Sequence, residues 1–324
     1  MDWLQSVGAF DAALYRCLQK EQAVTFDARQ PGWKPQVVER LRHFLIHADR
    51  GGHVLIKTST AGGRPSTHEV ANEILRLALS TAADVVTGRV VLADGPVYGD
   101  YGEECRRLGW DALAEEAGAI VQDLNLDKAT YVDSTWPLSS MYLSADSVVN
   151  VTKAKTHRRF GVSLSEKALL GALVGAVTGY PKLERRHRHV GRLLELIARA
   201  SPPLLSIVDG LGGVEGDGPM GGRPTQSAFL CVGTGTLGPD LRALVEMRFD
   251  PALTPGIIRP ITPAPLGATA VNWQSLCVTQ GESFLPPNTC PWLYRSLPQR
   301  RRRARQYRAL MEGARDCWPS PSPD

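Results

Sequence analysis

Six cysteines are scattered along 324 residues without a single C-x-x-C pair. That spacing excludes a zinc ribbon, a ferredoxin-type cluster held by this chain and a disulfide framework. Cys17, Cys105, Cys231, Cys277, Cys290 and Cys317 read instead as buried free thiols. No apolar run approaches the roughly 20 residues of a membrane helix. The opening "MDWLQSVGAFDAALYRCLQ" begins with an acid and has no basic region ahead of its apolar part, so it predicts an amphipathic helix rather than a signal peptide. The expectation is a cytoplasmic protein without a membrane partner. Nucleotide and calcium loops are missing as well. "KTSTAGGRPST" (57–67) fits neither a P-loop nor G-x-G-x-x-G. The acidic stretch 208–224 lacks the D-x-D-x-D-G order of an EF-hand.

Acids are absent from residues 295–308, where Arg295, Arg300, Arg301, Arg302, Arg303, Arg305 and Arg308 collect. The net charge is +4, so without these seven the chain stands at −3. Tyr307 is the only aromatic in this segment, and no nucleic-acid module is matched. The segment reads as a solvated helix or a subunit contact in a homo-oligomer, not as a nucleic-acid site.

What is present is an alternation. The first fifty residues look helical, with "PQVVERLRHFLIHA" (35–48) repeating apolar residues at helical spacing. "HVLIK" then reads as a buried strand, and Ser66 with Glu69 as a capping box opening the next helix. "DVVTGRVVLADGP" supplies a strand ending at Asp94, and "AIVQDLN", "SADSVVNVTKAK", "LLSIVDGLGG" and "AFLCVGTG" continue as strands, among helices such as "YGEECRRLGWDALAEEAGA" and "EKALLGALVGAV". This pattern predicts an α/β fold: a mostly parallel sheet with flanking helices, an N-terminal helical arm and an irregular C-terminal cover. The divisions expected are an arm over 1–50, a core domain over 51–250, and over 251–324 a proline-rich arm, a basic helix and a flexible tail.

In parallel sheets functional groups gather at the carboxyl ends of strands. Lys57, Asp94, the run Lys153 to His157 and Asp209 each stand at such an end. "NVTKAKTHRRFG" (150–161) places Lys153, Lys155 and His157 on one strand face, where they repel one another unless an anion sits among them. A lysine crowded by cations is also suited to acid–base work, as is a histidine near neutrality. Lys57, with Thr58 and the helix start at Ser66 and Thr67, resembles an anion cradle. "VDGLGGVEGDGPMGGRP" (208–224) holds seven glycines and two prolines around Asp209, Glu215 and Asp217. It reads as an irregular loop of tight turns, with Gly216 and Gly218 at positive φ. Its acids would ion-pair with Lys153, Lys155 or Lys167, or hold a divalent metal. "RRHRH" (185–189) alone reads as a basic helix start.

Taken together, "KAKTH" and the later glycine-rich loop resemble the family called domain of unknown function 362. Its pattern pairs K-x-K-T-H with DG-x-x-G-x-EG-x-GP-x-G. Here the matches are Lys153, Lys155, Thr156 and His157, then Asp209, Gly210, Gly213, Glu215, Gly216, Gly218, Pro219 and Gly221. "VLIK" with Lys57, and Ser66-Thr67, fit the family's opening, and Asp240 falls where the family places a later aspartate. The likeness spans roughly residues 50–250. Thr58 and Ser59 replace a proline and an asparagine of the pattern, and Ala168 follows Lys167 where asparagine is usual.

The function expected is an enzyme acting on a small anionic metabolite bearing a carboxylate or carbonyl. Lys57 and Lys155 would hold the anion while Lys153 or His157 moves a proton, with no organic cofactor. Such chemistry covers isomerisation, elimination, cyclisation and hydrolysis. Two other classes stay open: a redox protein served by an external iron–sulfur or flavin partner, and a non-catalytic ligand- or metal-binding module.

Overall fold

A computed structural model of the chain describes residues 23–60, 66–132, 136–157, 161–175, 190–219 and 221–247. The expectations for 1–22, for "RRHRH" and for 251–324 with its arginine segment lie outside the described residues. The strands are β1 (Val24–Asp27), β2 (His53–Lys57), β3 (Arg89–Asp94), β4 (Ile120–Asp123), β5 (Ala129–Val132), β6 (Trp136–Ser139), β7 (Ser147–His157), β8 (Gly161–Ser163), β9 (Leu204–Asp217), β10 (Gly221–Pro224) and β11 (Phe229–Thr234). The helices are α1 (Trp33–Ala48), α2 (Asn72–Val85), α3 (Tyr101–Leu108), α4 (Trp110–Glu116), α5 (Ser140–Leu143), α6 (Ser165–Ala168), α7 (Val190–Ala200) and α8 (Leu237–Glu246).

The protein is an α/β fold built on one large sheet, in the order β1-β11-β9-β7-β2-β3-β4. β9, β7, β2, β3 and β4 run parallel to one another. β11 runs antiparallel to both β9 and β1. β8 and β10 fold back on the extended ends of β7 and β9, while β5 and β6 form a separate ribbon. β7 is the centre: all eleven of its residues are buried, as a parallel strand covered on both faces requires.

Alternation along the strands sorts the core into two layers. Val54, Ile56, Val149, Val151, Leu205 and Ile207 face Leu41 and Leu45 of α1, Ile74 and Leu75 of α2, and Tyr101 and Trp110 of α3 and α4. Leu55, Val91 and Val148 face Tyr142 of α5, Leu169 and Leu170 just after α6, and Leu193 and Ile197 of α7. Among the described residues no helix is long and apolar enough to cross a membrane.

The local readings differ from the structure in four places. Residues 24–27 are a strand paired with β11, and Phe26, Trp33, Val37, Leu41 and Leu45 lie in the first core layer. The part of the expected helical arm that is described is thus built into the core. The single helix expected over 101–119 is two helices, because Gly109 takes φ 73° between them. The capping box does not form: Ser66–His68 is a 3-10 turn, and α2 begins at Asn72 after Ala71, with no side-chain cap. The helix expected in "EKALLGALVGAV" is the four residues of α6 followed by a 3-10 turn over Leu169–Ala172.

The acidic loop is also ordered: most of it is β9, turning back as β10. Gly216 has the expected positive φ of 73°, with open space where a Cβ would stand. Gly218 does not. Its glycine is required by close packing, since a Cβ there would overlap the Thr156 carbonyl oxygen on β7. Gly218→Ala should therefore cost about 1–3 kcal/mol by overpacking, lowering the melting temperature by roughly 5 °C. Gly216→Ala should cost only about 1 kcal/mol, from its backbone conformation. Thermal melts that rank the two in the opposite order would reject this assignment.

Candidate functional site

Chain order fixes where a ligand crevice forms. β2, β3 and β4 step outward in one direction, while β7 and β9 step outward on the other side of β2. Strand order therefore reverses between β2 and β7, and crevices in open α/β sheets lie beyond the carboxyl ends of strands at such a reversal. Lys57 ends β2 in register with Asn150 of β7, and β7 continues seven residues further to His157.

The three lysines are all buried, and each meets a carboxylate. Lys57 shares the alternation of Leu55 and so leaves the sheet on the second-layer side. Its ammonium donates to Asp94 Oδ1 at 3.1 Å, to the Thr58 carbonyl at 2.8 Å and to the Ala168 carbonyl at 2.7 Å. An ammonium has three N–H groups, and three protein acceptors occupy them. Asp94 Oδ2 accepts from the Thr60 N–H at 2.7 Å, and Gly171 lies so near that a Cβ would collide with both Asp94 Oδ1 and Lys57 Nζ. Lys57, expected to hold a substrate anion, is thus held by protein acceptors that tie the 57–60 turn to the end of α6.

Lys153 and Lys155 share the alternation of Val149 and Val151 and leave on the first-layer side. Lys153 pairs in register with Asp209, but the next pair along is Lys155 with Val214. Residues 210–213 of β9 thus stand against Ala154 alone, a wide bulge that parts the two central strands of the ladder. Into this opening Lys153 donates to Asp209 Oδ2 at 3.0 Å and to the Leu211 carbonyl at 2.5 Å. Asp209 is fixed further by the Leu211 N–H at 2.8 Å and by the Ala71 N–H, just ahead of α2, at 2.7 Å. Lys155 donates to Glu69 Oε2 at 3.2 Å and approaches the Ser59 carbonyl at 3.5 Å. The anions demanded by the crowded cations are therefore supplied by the protein itself.

The remaining expected site residues are distributed around this centre. His157 is buried at the end of β7, in register with Gly161 of β8. Thr58 is buried, with Oγ1 2.6 Å from the Tyr101 hydroxyl. Ser66 and Thr67 belong to the 3-10 turn before Glu69, and Thr67 is exposed. Lys167 is half-buried on α6. Glu215 accepts from Arg223 across the β9–β10 hairpin at 2.8 Å, and Asp217 ends β9 in register with Gly221. Among the described residues no group of three His, Cys, Asp or Glu side chains is placed to hold a metal ion.

Several participants were not legible as such. Glu69 appeared as a capping residue and is instead the buried partner of Lys155, 86 residues away. Tyr101 carried no signal at all; it opens α3, where its N–H donates to Asp123 at the end of β4. Burial pushes its phenol well above the usual range, so it is a hydrogen-bonding group rather than an acid. Burial likewise pushes the nearby Cys105 thiol up to about 12 and raises Cys231, which agrees with inert core thiols. Asp240 of α8 is buried, and accepts from the Ser165 N–H at 2.8 Å and the Glu166 N–H at 2.9 Å, so it caps α6 from another helix.

The family model for a domain of unknown function, DUF362, matches residues 54–241. The chain belongs to this family. The matched span begins in β2 and ends in α8, so it takes in Lys57, the K-x-K-T-H strand, the bulged β9 and Asp240. A thylakoid-associated protein of Synechocystis sp. is 26% identical over 211 residues, covering 63% of this chain. The match spans 66% of that relative's length. Among solved structures, the lactate racemase apoprotein of Thermoanaerobacterium thermosaccharolyticum aligns over 70% of this chain and 57% of its own, at 15% identity and a TM-score of 0.41. A Thermotoga maritima protein aligns over 66% and 57%, at 12% identity and a TM-score of 0.37.

Pairing of Lys155 with Glu69 makes this lysine part of the DUF362 core's charge balance. Lys155→Met should take a counter-charge from the buried Glu69 carboxylate and cost about 3–5 kcal/mol. Adding Glu69→Gln should restore much of the loss. Urea denaturation of the two variants decides it, and equal stability of Lys155→Met and wild type would refute the pair.

Proposed function

We propose that this protein is an enzyme acting on a small carboxylate- or carbonyl-bearing metabolite by lysine–histidine acid–base chemistry. The observation that carries this reading is the Lys153 ammonium. It is 3% exposed, yet only two of its three N–H groups have acceptors among the described residues, Asp209 and the Leu211 carbonyl. A buried donor without an acceptor is costly and marks a place where a ligand atom is expected. It stands where β9 bulges away from β7, one strand along from the β2–β7 reversal beside which open α/β sheets bind their ligands.

In this reading the third N–H of Lys153 points its charge at a substrate carbonyl oxygen and stabilises the negative charge that develops there, with Asp209 balancing the ammonium. Lys155, roughly 7 Å further along the strand, offers a second cation to a carboxylate. His157, on the same face again, gives or takes the proton at the carbon next to the carbonyl. Lys57 and Asp94 take no part in the chemistry and hold the 57–60 turn that closes one side. Isomerisation, elimination, cyclisation and hydrolysis all use such a set.

Exchange of a substrate carbon-bound proton with solvent tests this directly. The protein is incubated in D2O with pyruvate, lactate and malate, and loss of the proton signals beside the carbonyl or carboxylate is followed by NMR. The expected result is exchange by wild type, reduced on the order of a hundredfold by His157→Asn and also lost in Lys153→Met. Exchange untouched by both substitutions, or absent with all three probes, overturns the assignment.

A further inference from the structure

A cavity lies at the amino end of the parallel strands, away from the lysines. Its volume is about 680 Å³, within the range of small-molecule sites. It is walled by α1, by the start of β9 and by the end of β11. Leu205, on its wall, precedes Asp209 by four strand residues, or roughly 13 Å. The cavity therefore shares a sheet face with Lys153 but opens at the opposite edge.

Its chemistry is divided. Phe44, Leu205 and Val232 supply apolar surface, two of them members of the first core layer. Arg40, His43, His47 and Arg50 supply nitrogen donors around it, and Glu39 is the one acid in the lining. The spacing 40, 43, 47 sets three of these donors along one stripe of α1. The His43 and His47 rings lie 4.3 Å apart, and His47 Nδ1 donates to the His43 carbonyl at 2.7 Å, which leaves Nε2 for another partner. The Arg50 side chain makes no ion pair among the described residues, although its backbone N–H is held by Asp146 at 3.0 Å. The β9 and β11 walls, Pro203, Leu205, Val232, Gly233 and Thr234, bring no charge to oppose an anion.

We infer that this cavity binds a small amphipathic anion, an apolar body with a single carboxylate or sulfonate head. The body lies on Phe44, Leu205 and Val232. The head sits among His43, His47 and Arg50, where charge-assisted hydrogen bonds are the strong ones. The site is independent of the lysine centre.

The probe is 8-anilinonaphthalene-1-sulfonate, whose fluorescence rises in apolar surroundings, with decanoate as competitor and neutral N-phenyl-1-naphthylamine as control. Wild type should bind the sulfonate about tenfold more tightly than the neutral dye, decanoate should displace it, and added salt should weaken it. Arg50→Glu, and separately the pair His43→Gln with His47→Gln, should each cost about tenfold in sulfonate affinity. All three positions are exposed, and thermal melts check that each variant is folded. Should Arg50→Glu lose the fold, the histidine pair carries the test. Lys153→Met should leave sulfonate binding unchanged. The inference fails if the neutral dye binds equally well, if the cavity variants bind like wild type, or if Lys153→Met alone abolishes binding.

Discussion

Three ammonium groups buried at the carboxyl ends of β2 and β7, on both faces of the sheet, can be tolerated only if each is matched by an anion, and this constraint organises that end of the sheet. Asp94, Asp209 and Glu69 come from the end of β3, the end of β9's regular pairing and the segment before α2. Each pair therefore ties a strand end to a different element. Breaking one does more than remove an attraction, because a desolvated charge is left behind. The pairs say little about net stability, which rests on the two apolar layers; they fix which loops lie over which strands.

The bulge in β9 gives the arrangement its asymmetry. Lys57 is saturated by the protein, whereas Lys153 projects into the gap that the bulge opens and has two acceptors for its three N–H groups among the described residues. The glycines of 210–213 belong to this departure from the ladder: Gly212 takes φ 62°, and Gly210 lies against the Phe229 ring. A regular strand there would have returned ladder partners to β7 and closed the gap.

The fold class was legible because it depends on periodicity, which is local: β2, β3, β7 and α1 each announce themselves in a window of a dozen residues. So were the strand-end residues, because chain position along a parallel strand says which end it occupies. What remained illegible was pairing. Nothing near Glu69 indicates Lys155, and Ser66 with Glu69 three residues later imitated a helix cap well enough to assign Glu69 to a different task. The glycine-rich stretch misled for a related reason. Its glycines permit close approach of neighbouring chains, at Thr156 and at Phe229, and that is compatible with a strand as well as with a loop. Sharing of an alternation did not distinguish faces either, since Lys57 and Lys153 belong to different strands whose register only the sheet defines.

The two outermost strands of the sheet carry a consequence for self-association. β1 and β4 have four residues each, and both end on an aspartate, Asp27 and Asp123. Desolvation already raises the Asp123 carboxyl above its usual range, and a strand laid beside β4 would remove still more water from it. Edges this short, with a charge at the rim, are poor templates for adding a strand from a second molecule. Among the described residues both rims of the sheet therefore discourage edge-to-edge pairing.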